Sequence, residues 1–475
     1  MDDSTHYDIA LIGSGSGNSF PGPEFADRSI VYIDRGVGPD HVFGGTCLNL
    51  GCIPTKMFVH TANLAHTPED SARFGLTEEL QHVDWPAIRD RIFGRIDPIS
   101  AGGEEYRREH PDNAHLTLLR GTASFVGERR LRVLGHDGSE RTLTADTIVL
   151  GAGSRPVLPP IDGLAEVAAH TSDTIMRIEK LPASLAILGS GVVAVEMAHI
   201  FSSLGVEVTL IARSGRVLRA ADADISARLT ELLGQRLTLE THFSTTAVRR
   251  TAEGVELRGE RDGEEGLVQA EELLVAVGRR PNSDLLDVTA AGIDISEDGR
   301  VLVDAQQRVL GGGAALEGLW AFGDISSPHQ LKHVANHEQR IVRHNILHPE
   351  QLRRSDTMPI PSGVFTHPQV AWVGMDEEEA RRSGREVAVA VQEYGSIAYG
   401  WAMEDSTGFV KLIADAQTTE ILGAHLIGPE ATTLVQLLIQ AMSTGQTARD
   451  IAAAQYWIHP AMPELIENAL LQLVD

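Results

Sequence analysis

Cysteine is nearly missing from this chain: 475 residues contain two. Two thiols cannot make a four-ligand thiolate zinc site, and a reducing compartment does not favour structural disulfides. Lysine is almost as scarce, supplying four of the 40 basic residues (Lys56, Lys180, Lys332 and Lys411), a bias with little bearing on mechanism. No apolar run reaches the roughly 18 residues a spanning helix needs. The opening MDDSTHYD is acidic where a signal peptide would be basic, so a cytoplasmic location is expected. Positive charge is in overall deficit, and a net charge of −26 repels phosphate backbones and anionic lipid. Neither nucleic acid nor a membrane is therefore expected as a partner, and small molecules are better candidates.

What is present suits a folded protein of several units. With 42% hydrophobic and 22% charged residues the chain can build large cores, and its length predicts about three domains. Residues 7–12 (YDIALI) form an apolar run followed at once by Gly13-Ser14-Gly15-Ser16-Gly17-Asn18, which reads as a strand and a phosphate loop. A second run, residues 29–33, ends in Asp34, 21 residues after Gly13, where a dinucleotide-binding unit places the acid that holds a ribose hydroxyl pair. The pattern returns at residues 185–188, with Gly189-Ser190-Gly191-Val192-Val193-Ala194, a helix to about residue 204 and a partner strand at 207–211. One such loop is weak evidence, but two complete strand-loop-strand units are much stronger.

Between them, residues 84–109 read as helix and 117–148 as a β-meander with turns at Gly121, Gly127 and 135–138. Prolines at 156, 159 and 160 suggest a linker. Runs at 147–153, 272–278 and 318–324 each carry an apolar strand into glycine. Beyond about residue 345, short strands (364–365, 370–373, 409–413, 421–427) precede three amphipathic helices, an α+β unit. The expected fold is α/β with two Rossmann-like units, divided as 1–153, 154–277, 278–345 and 346–475, the third segment returning to the first unit.

Cys47 and Cys52 lie five residues apart in GGTCLNLGCIPTK, which makes redox chemistry the leading idea against a bland alternative of two inert core thiols. On a regular helix, residues five apart diverge by about 140°, too far for a disulfide. Pro54 cannot donate to the carbonyl of Leu50, so it should distort a helix running through both cysteines and let a bridge open and close. In the first unit Asn18 replaces the third glycine, and Pro21 and Pro23 predict a very short helix whose first-turn amides still suit pyrophosphate. A plain turn at Gly13–Gly17 is the alternative reading. In the second unit Ala212 stands where an acid would end the strand, with Arg213, Arg216 and Arg219 behind it. Arginine attracts a 2′-phosphate that an acid would repel, so NADPH is expected there, against the alternative of a solvated arginine loop. His459 with Glu464 suits a general base and its orienter, although a helix N-terminus with acids in its first turn explains Glu464 and Glu467 about as well. His329, His333 and His337 have the spacing of one helical stripe, but with no nearby acid or cysteine to complete a site apart from Glu338 on a different face, no metal is expected.

Together GGTCLNLGCIPTK, the two dinucleotide units, the Gly323-Asp324 strand end and the terminal HPAMPE resemble the flavoprotein disulfide reductases of the glutathione reductase and dihydrolipoamide dehydrogenase type, over the whole chain and in order. The resemblance implies FAD in the first unit, a nicotinamide cofactor in the second, and a homodimer formed by the last domain, whose active sites each combine the cysteines of one subunit with the histidine of the other. It makes Cys47 the interchange thiol, Cys52 the flavin-proximal thiol, and His459 the acid/base held by Glu464. For FAD it implies Gly13, Gly15, Gly17, Asp34, Gly45, Thr46, Gly153, Arg279 and Asp324, with Lys56 at the flavin paired with Glu196. For NADPH it implies Gly189, Gly191, Val193, Glu196, Arg213, Arg219 and Gly278, and Val192 stands where relatives often carry a flavin-covering tyrosine. The shortened GNSFPGPEFADRS lacks the arginines with which glutathione reductases hold their substrate, and no further thiol pair serves mercury or thioredoxin. RIFGRIDPIS (91–100), YGWAMED (399–405) and QYWIHPAMPELIENALL (455–471) resemble the mycothione-reducing branch of that family.

Overall fold

The computed structural model describes residues 5–474, so the acidic opening MDDS, read above against a signal peptide, lies outside the described residues. The first unit is built on strands β1 (Thr5–Ile12), β2 (Ile30–Asp34), β3 (Leu116–Gly127), β4 (Arg130–Gly135) and β5 (Glu140–Leu150). β1 lies between β2 and the second half of β5, all parallel, and β2 is flanked by the first half of β3. The outer halves of β3 and β5 leave this parallel sheet and pair antiparallel with β4, so the predicted meander is the same pair of long strands serving two partners. The strand Ala314–Ala321 joins β5 in parallel, bringing the later segment of the chain back to the first unit. Gly121 is not a turn. It sits inside β3 opposite Gly135, and a side chain there would strike the carbonyl of Leu134.

The second unit repeats the parallel arrangement with strands Glu272–Val275, Ser184–Leu188, Glu207–Ile211 and Thr238–Glu240 in that spatial order. A three-stranded antiparallel ribbon (Phe243–Thr251, Gly254–Arg261, Glu264–Ala270) is attached to it. The two crossings between the units pair with each other, Ser154–Pro156 against Arg279–Pro281, because Pro156 and Pro281 end both strands after three residues. The last unit is a five-stranded antiparallel sheet in the order Pro361–Val364, Gln369–Gly374, Ile421–Gly428, Phe409–Asp415, Val387–Glu393, packed against helices Ala431–Thr444, Ala448–Ala453 and Glu464–Val474. Its edge strand Val387–Glu393 was not anticipated.

Six helices position the chemistry: α1 (Gly45–Asn49), α2 (Cys52–Ser71), α3 (Trp85–Glu109), α4 (Val192–Ser203), α5 (Ala223–Arg236) and α6 (Lys332–Leu347). α2 packs on α4 through a core that includes Phe58, Val59, Ala62, Val195 and Ala198, so the thiol segment rests on the second unit. α3 begins at Asp84, whose carboxylate accepts the Ala87 amide at 3.0 Å. α6 starts only at Lys332, so His329 precedes it and the three-histidine stripe does not form. His333 and His337 instead meet the carbonyls of Pro361 and Ser355 at 2.9 and 3.2 Å. Among the described residues no helix is long and apolar enough to cross a membrane.

Candidate active site

The cysteine segment departs from the kinked single helix expected from Pro54. The chain breaks completely between α1 and α2 at Leu50 and Gly51, where Gly51 has φ −134° and ψ −118°. Pro54 is the third residue of α2, so its missing N–H falls among the first-turn amides that have no intrahelical acceptor, and it starts the second helix without disturbing it. Cys47 thus lies in the middle of α1 and Cys52 opens α2, which removes the angular divergence of a continuous helix. Asn49, fully buried, holds α1 in place by donating to the carbonyls of Phe43 and Gly45 at 2.7 and 3.0 Å.

Both cysteines are free thiols. The Cys52 thiol donates to Cys47 and holds Cys47 below the ordinary thiol range against the opposing effect of burial, with Lys332 also favouring the thiolate. That same hydrogen bond, then burial and the neighbouring Cys47 charge, push Cys52 strongly upward. Of the two sulfurs, Cys47 is therefore the one at which the surroundings favour a thiolate.

Around the pair the glycines do what the turn geometry requires. Gly13 (φ +102°) and Gly189 (φ +135°) occupy equivalent turns, and a side chain on either would strike a carbonyl, that of Gly151 or of Ala276. Each donates to the end of its neighbouring strand, Gly13 to Ile33 at 2.9 Å and Gly189 to Ile211 at 3.0 Å. Gly45 (φ +77°) packs directly on Gly15, which brings α1 onto the phosphate loop, and Ser14 Oγ accepts the Gly44 amide at 2.7 Å. Between the glycine loop and β2 the chain forms two 3-10 turns, Ser16–Ser19 and Pro23–Phe25, in place of a longer helix, as the prolines predicted. The departure at Asn18 has a physical account, because its side-chain oxygen accepts from Arg107 Nε of α3 at 3.0 Å and its carbonyl accepts from the same guanidinium.

The first unit fits an adenine dinucleotide. Asp34 is buried at the end of β2; its Oδ1 accepts the Ser14 amide at 2.9 Å, while Oδ2 has no hydrogen-bond partner, with Arg120 Nε 3.8 Å away. Burial raises its pKa. A buried, unsatisfied carboxylate oxygen at this position suits a ribose hydroxyl pair. Asp324, Arg279 and the turn after Gly153 converge through Ser154, whose hydroxyl donates to Asp324 Oδ2 at 2.6 Å and accepts from Arg279 Nε at 2.8 Å. Glu338 of α6 accepts the Gly323 amide at 2.7 Å, fixing the turn that carries Asp324, and burial raises this carboxyl to about 7. Asn49, Ser14 and Ser154 were not singled out from the sequence, and Glu338 was noted only as an acid beside the histidine stripe. Ser14 and Ser154 meet partners 30 and 170 residues away, and Asn49 bonds only to nearby backbone, so isolated polar residues of this kind give no local signal.

Lys56 and Glu196 do come together, but not as a direct ion pair among the described residues. Glu196, buried in α4, accepts the Phe365 amide at 2.8 Å and is raised to about 7 by burial, with Lys56 opposing the shift; Lys56 Nζ lies 3.9 Å from the centre of the Phe365 ring. In the second unit Gly191 opens α4 with no side-chain cap, and the space a Cβ would take there is empty, which leaves first-turn amides free for phosphate. Val193 is half-buried in that turn, Val192 beside it is exposed, and Gly278 accepts the Val157 amide at 3.0 Å. Ala212 is buried at the strand end, and Arg213 and Arg219 are exposed with no ion pair among the described residues. Arg216 donates to the Ala223 carbonyl at 3.0 Å.

His459 and Glu464 form a hydrogen bond of 2.6 Å between Nδ1 and Oε1, with the imidazole 70% exposed and the carboxylate 17%. No hydrogen bond joins His459 to either cysteine among the described residues. Tyr456 and Ile458 beside it are also exposed. Elsewhere His66, Asp70 and His367 bring possible metal-ligating atoms within 4.8 Å of one another. Arg236 lies 3.4 Å from His66 Nδ1 and donates to the His367 carbonyl at 2.9 Å, so the cluster already has a cation beside it and forms a packed junction of α2, α5 and the last unit.

Comparison with known proteins agrees with this geometry. Residues 7–340 match the family model described as pyridine nucleotide-disulphide oxidoreductase, and residues 360–470 match the dimerisation domain of that family. The chain is 46% identical over 473 residues to mycothione reductase of Mycobacterium tuberculosis, covering 98% of this chain and 99% of the relative. It is 30% identical to dihydrolipoyl dehydrogenase of Halobacterium salinarum, covering 98% and 96% respectively. Among solved structures, the HOCl-induced flavoprotein disulfide reductase RclA from Escherichia coli superposes with a TM-score of 0.82 at 26% identity, over 98% of this chain and 99% of that one.

Proposed function

We propose that this chain, which belongs to the pyridine nucleotide-disulphide oxidoreductase family, is the NADPH-dependent reductase of the low-molecular-weight disulfide mycothione. Membership brings FAD and NAD(P)H as cofactors and a disulfide as substrate. The observation that carries the reading is the thiol pair set across the α1–α2 break and packed, through Gly45 and Gly15, on the phosphate loop. Mycothione as the particular disulfide rests on the 46% identity over nearly the full length.

Gly13, Gly15, Gly17, Asp34, Gly45, Thr46, Lys56, Gly153, Arg279 and Asp324 would hold FAD, and Gly189, Gly191, Val193, Glu196, Arg213, Arg219 and Gly278 would hold NADPH. Bound FAD supplies the relay by which the electron pair of the NADPH hydride reaches the Cys47–Cys52 bridge. Cys47, as thiolate, attacks one sulfur of the substrate disulfide, forming a mixed disulfide and expelling the first thiol as its thiolate. His459 of the partner subunit gives that thiolate its proton, with Glu464 fixing the tautomer through Nδ1. Cys52 then attacks the Cys47 sulfur, releases the second thiol and closes the bridge, so that one two-electron reduction yields two thiols. The subunits meet as a homodimer through the last unit.

The test is direct competition. Purified protein with NADPH is offered mycothione, glutathione disulfide and lipoamide side by side, and the highest kcat/KM is expected for mycothione. Preference for glutathione disulfide or lipoamide would remove the substrate assignment and leave the disulfide chemistry.

A further inference from the structure

Arg107, in the last turn of α3, is buried, and among the described residues it forms no ion pair. Glu104, one turn before it on the same helix, is engaged by Arg108 and Arg120 instead. Every acceptor the Arg107 guanidinium finds is neutral. Nε and Nη2 donate to the side-chain and backbone oxygens of Asn18, the former at 3.0 Å, and Nη1 donates to Asn113 Oδ1 at 3.2 Å. Asn113 is itself held by donating to the Tyr106 carbonyl at 2.7 Å. Burial works against the charged form, and a buried cation with only neutral partners is costly to keep, so its use lies in an anion brought from outside the chain.

Asn18 closes the phosphate loop at the point where a dinucleotide unit ordinarily runs on into a long helix, and Pro21 and Pro23 leave only 3-10 turns there. Two things go with that helix: the amides that take up the carbonyls at the end of the loop, and the aligned peptide dipoles whose positive end faces the phosphates. Within the loop the Gly13 carbonyl accepts from the Tyr32 hydroxyl at 3.4 Å and the Gly17 carbonyl from the Phe20 amide at 2.9 Å, but the donor to the Asn18 carbonyl is Arg107. We propose that Arg107 stands in for the missing helix as a positioning residue for the diphosphate of FAD. It takes up the Asn18 carbonyl in place of a helical amide and sets a fixed positive charge behind the loop in place of a helix dipole. The inference rests on the reading that the first unit holds FAD and is independent of which disulfide is reduced.

In the test, FAD is removed from the holoenzyme and returned in a titration followed by flavin fluorescence, and thermal unfolding is recorded with and without FAD. Arg107→Gln keeps a donor for Asn18 and loses the charge; it should weaken FAD binding about tenfold and shrink the rise in Tm that FAD produces. Arg107→Lys keeps the charge and should bind FAD within about threefold of wild type. A residue that merely braces the fold would lower the Tm of apoenzyme and holoenzyme alike and leave the FAD-induced rise unchanged, and that result would overturn the proposal. So would FAD binding by Arg107→Gln within about twofold of wild type, or binding by Arg107→Lys as weak as that by Arg107→Gln. If Arg107→Gln does not accumulate as folded protein, Asn18→Ala removes one of the two anchors of the guanidinium on the loop. FAD binding about threefold weaker is then expected, and unchanged binding overturns the proposal. Wild type that takes up no FAD would remove the cofactor reading itself, an outcome distinct from a variant that binds FAD as tightly as wild type.

Discussion

Cofactor choice is the expectation most directly computable from the second unit. Arg213 and Arg219 are exposed and without ion-pair partners among the described residues, so neither must leave an existing contact to meet a 2′-phosphate. A hydrogen bond to a charged group contributes about 1.5–3 kcal/mol, and solvent screening of exposed guanidinia places each arginine at the lower end. Replacing one by alanine should therefore lower kcat/KM for NADPH about tenfold, and replacing both about a hundredfold. The 2′-phosphate is remote from the hydride, so the loss should appear in KM with kcat nearly unchanged. NADH lacks the group both arginines would hold, and its kcat/KM should stay within about twofold. Steady-state rates of NADPH and NADH oxidation with a fixed disulfide measure the ratio directly, and raising the salt concentration should weaken NADPH use in wild type but not in the double variant. If the double variant loses NADPH and NADH activity in equal proportion, or loses neither, the arginines are a solvated loop and the inference from Ala212 fails.

Three further expectations follow from other parts of the molecule. Cys52→Ser should still accept substrate at Cys47 but stall there, so the intact mass of the enzyme should gain one thiol adduct while turnover ceases; sustained turnover would reverse the assigned thiol roles. Mixing inactive Cys47→Ser and His459→Ala dimers under conditions that exchange subunits should restore activity, since one site of each mixed dimer is then intact, whereas no recovery would place both residues in one subunit's site. Lys411, 3% exposed, bridges Asp222 (3.1 Å), Asp224 (2.6 Å) and Glu377 (2.8 Å) between the second and last units, and Lys411→Met should cost about 3–5 kcal/mol by leaving the Asp222 carboxylate buried and unpaired. Although burial opposes it for Asp222, the Lys411 hydrogen bond holds both Asp222 and Glu377 below the usual carboxylate range. Their folded pKa values are depressed, so this contribution is present above that range and is lost as pH falls through the folded values. Lys411 itself is raised, so its own contribution is lost only on the alkaline side. Urea unfolding of wild type and variant at neutral and acid pH should show the gap narrowing in acid, and a loss below about 1 kcal/mol at neutral pH would contradict the bridge.

The turns and strand ends that the backbone itself demands were legible in the sequence. Gly13 and Gly189 must adopt positive φ beneath a neighbouring carbonyl, and a run of glycines after an apolar strand advertises this locally. Pro54 was legible as a disturbance but misread in kind, because proline is as much at home in a helix's first turn as it is disruptive in the interior, and only Gly51 shows which case applies. The strand Val387–Glu393 was missed because an edge strand pairs on one side only and its VAVAVQE pattern leaves several residues half-exposed. The supporting contacts were hidden for another reason. Ser154 meets Asp324 across 170 residues and Ser16 meets Asn336 across 320, separations at which no local pattern can signal the partner.

The two nucleotide units share one backbone solution and differ in the residues that end their second strands. Both place a positive-φ glycine under the carbonyl end of a flanking strand and donate its amide to the strand beside it, so the approach of a pyrophosphate is the same in each. At the end of that neighbouring strand, the first unit presents the Asp34 carboxylate with one oxygen unsatisfied, and the second presents the methyl of Ala212 followed by Arg213, which has no ion pair among the described residues. A carboxylate there accepts from ribose hydroxyls and repels a phosphate attached to them; a methyl does neither and leaves the arginines free to act. On the proposed assignment, selectivity between the two dinucleotides would reside in side chains that can change without disturbing the turn. On the proposed assignment a molecule of net charge −26 would bind two polyanionic cofactors by meeting their pyrophosphates with backbone amides, and would need positive side chains in direct contact only where one cofactor carries an additional phosphate.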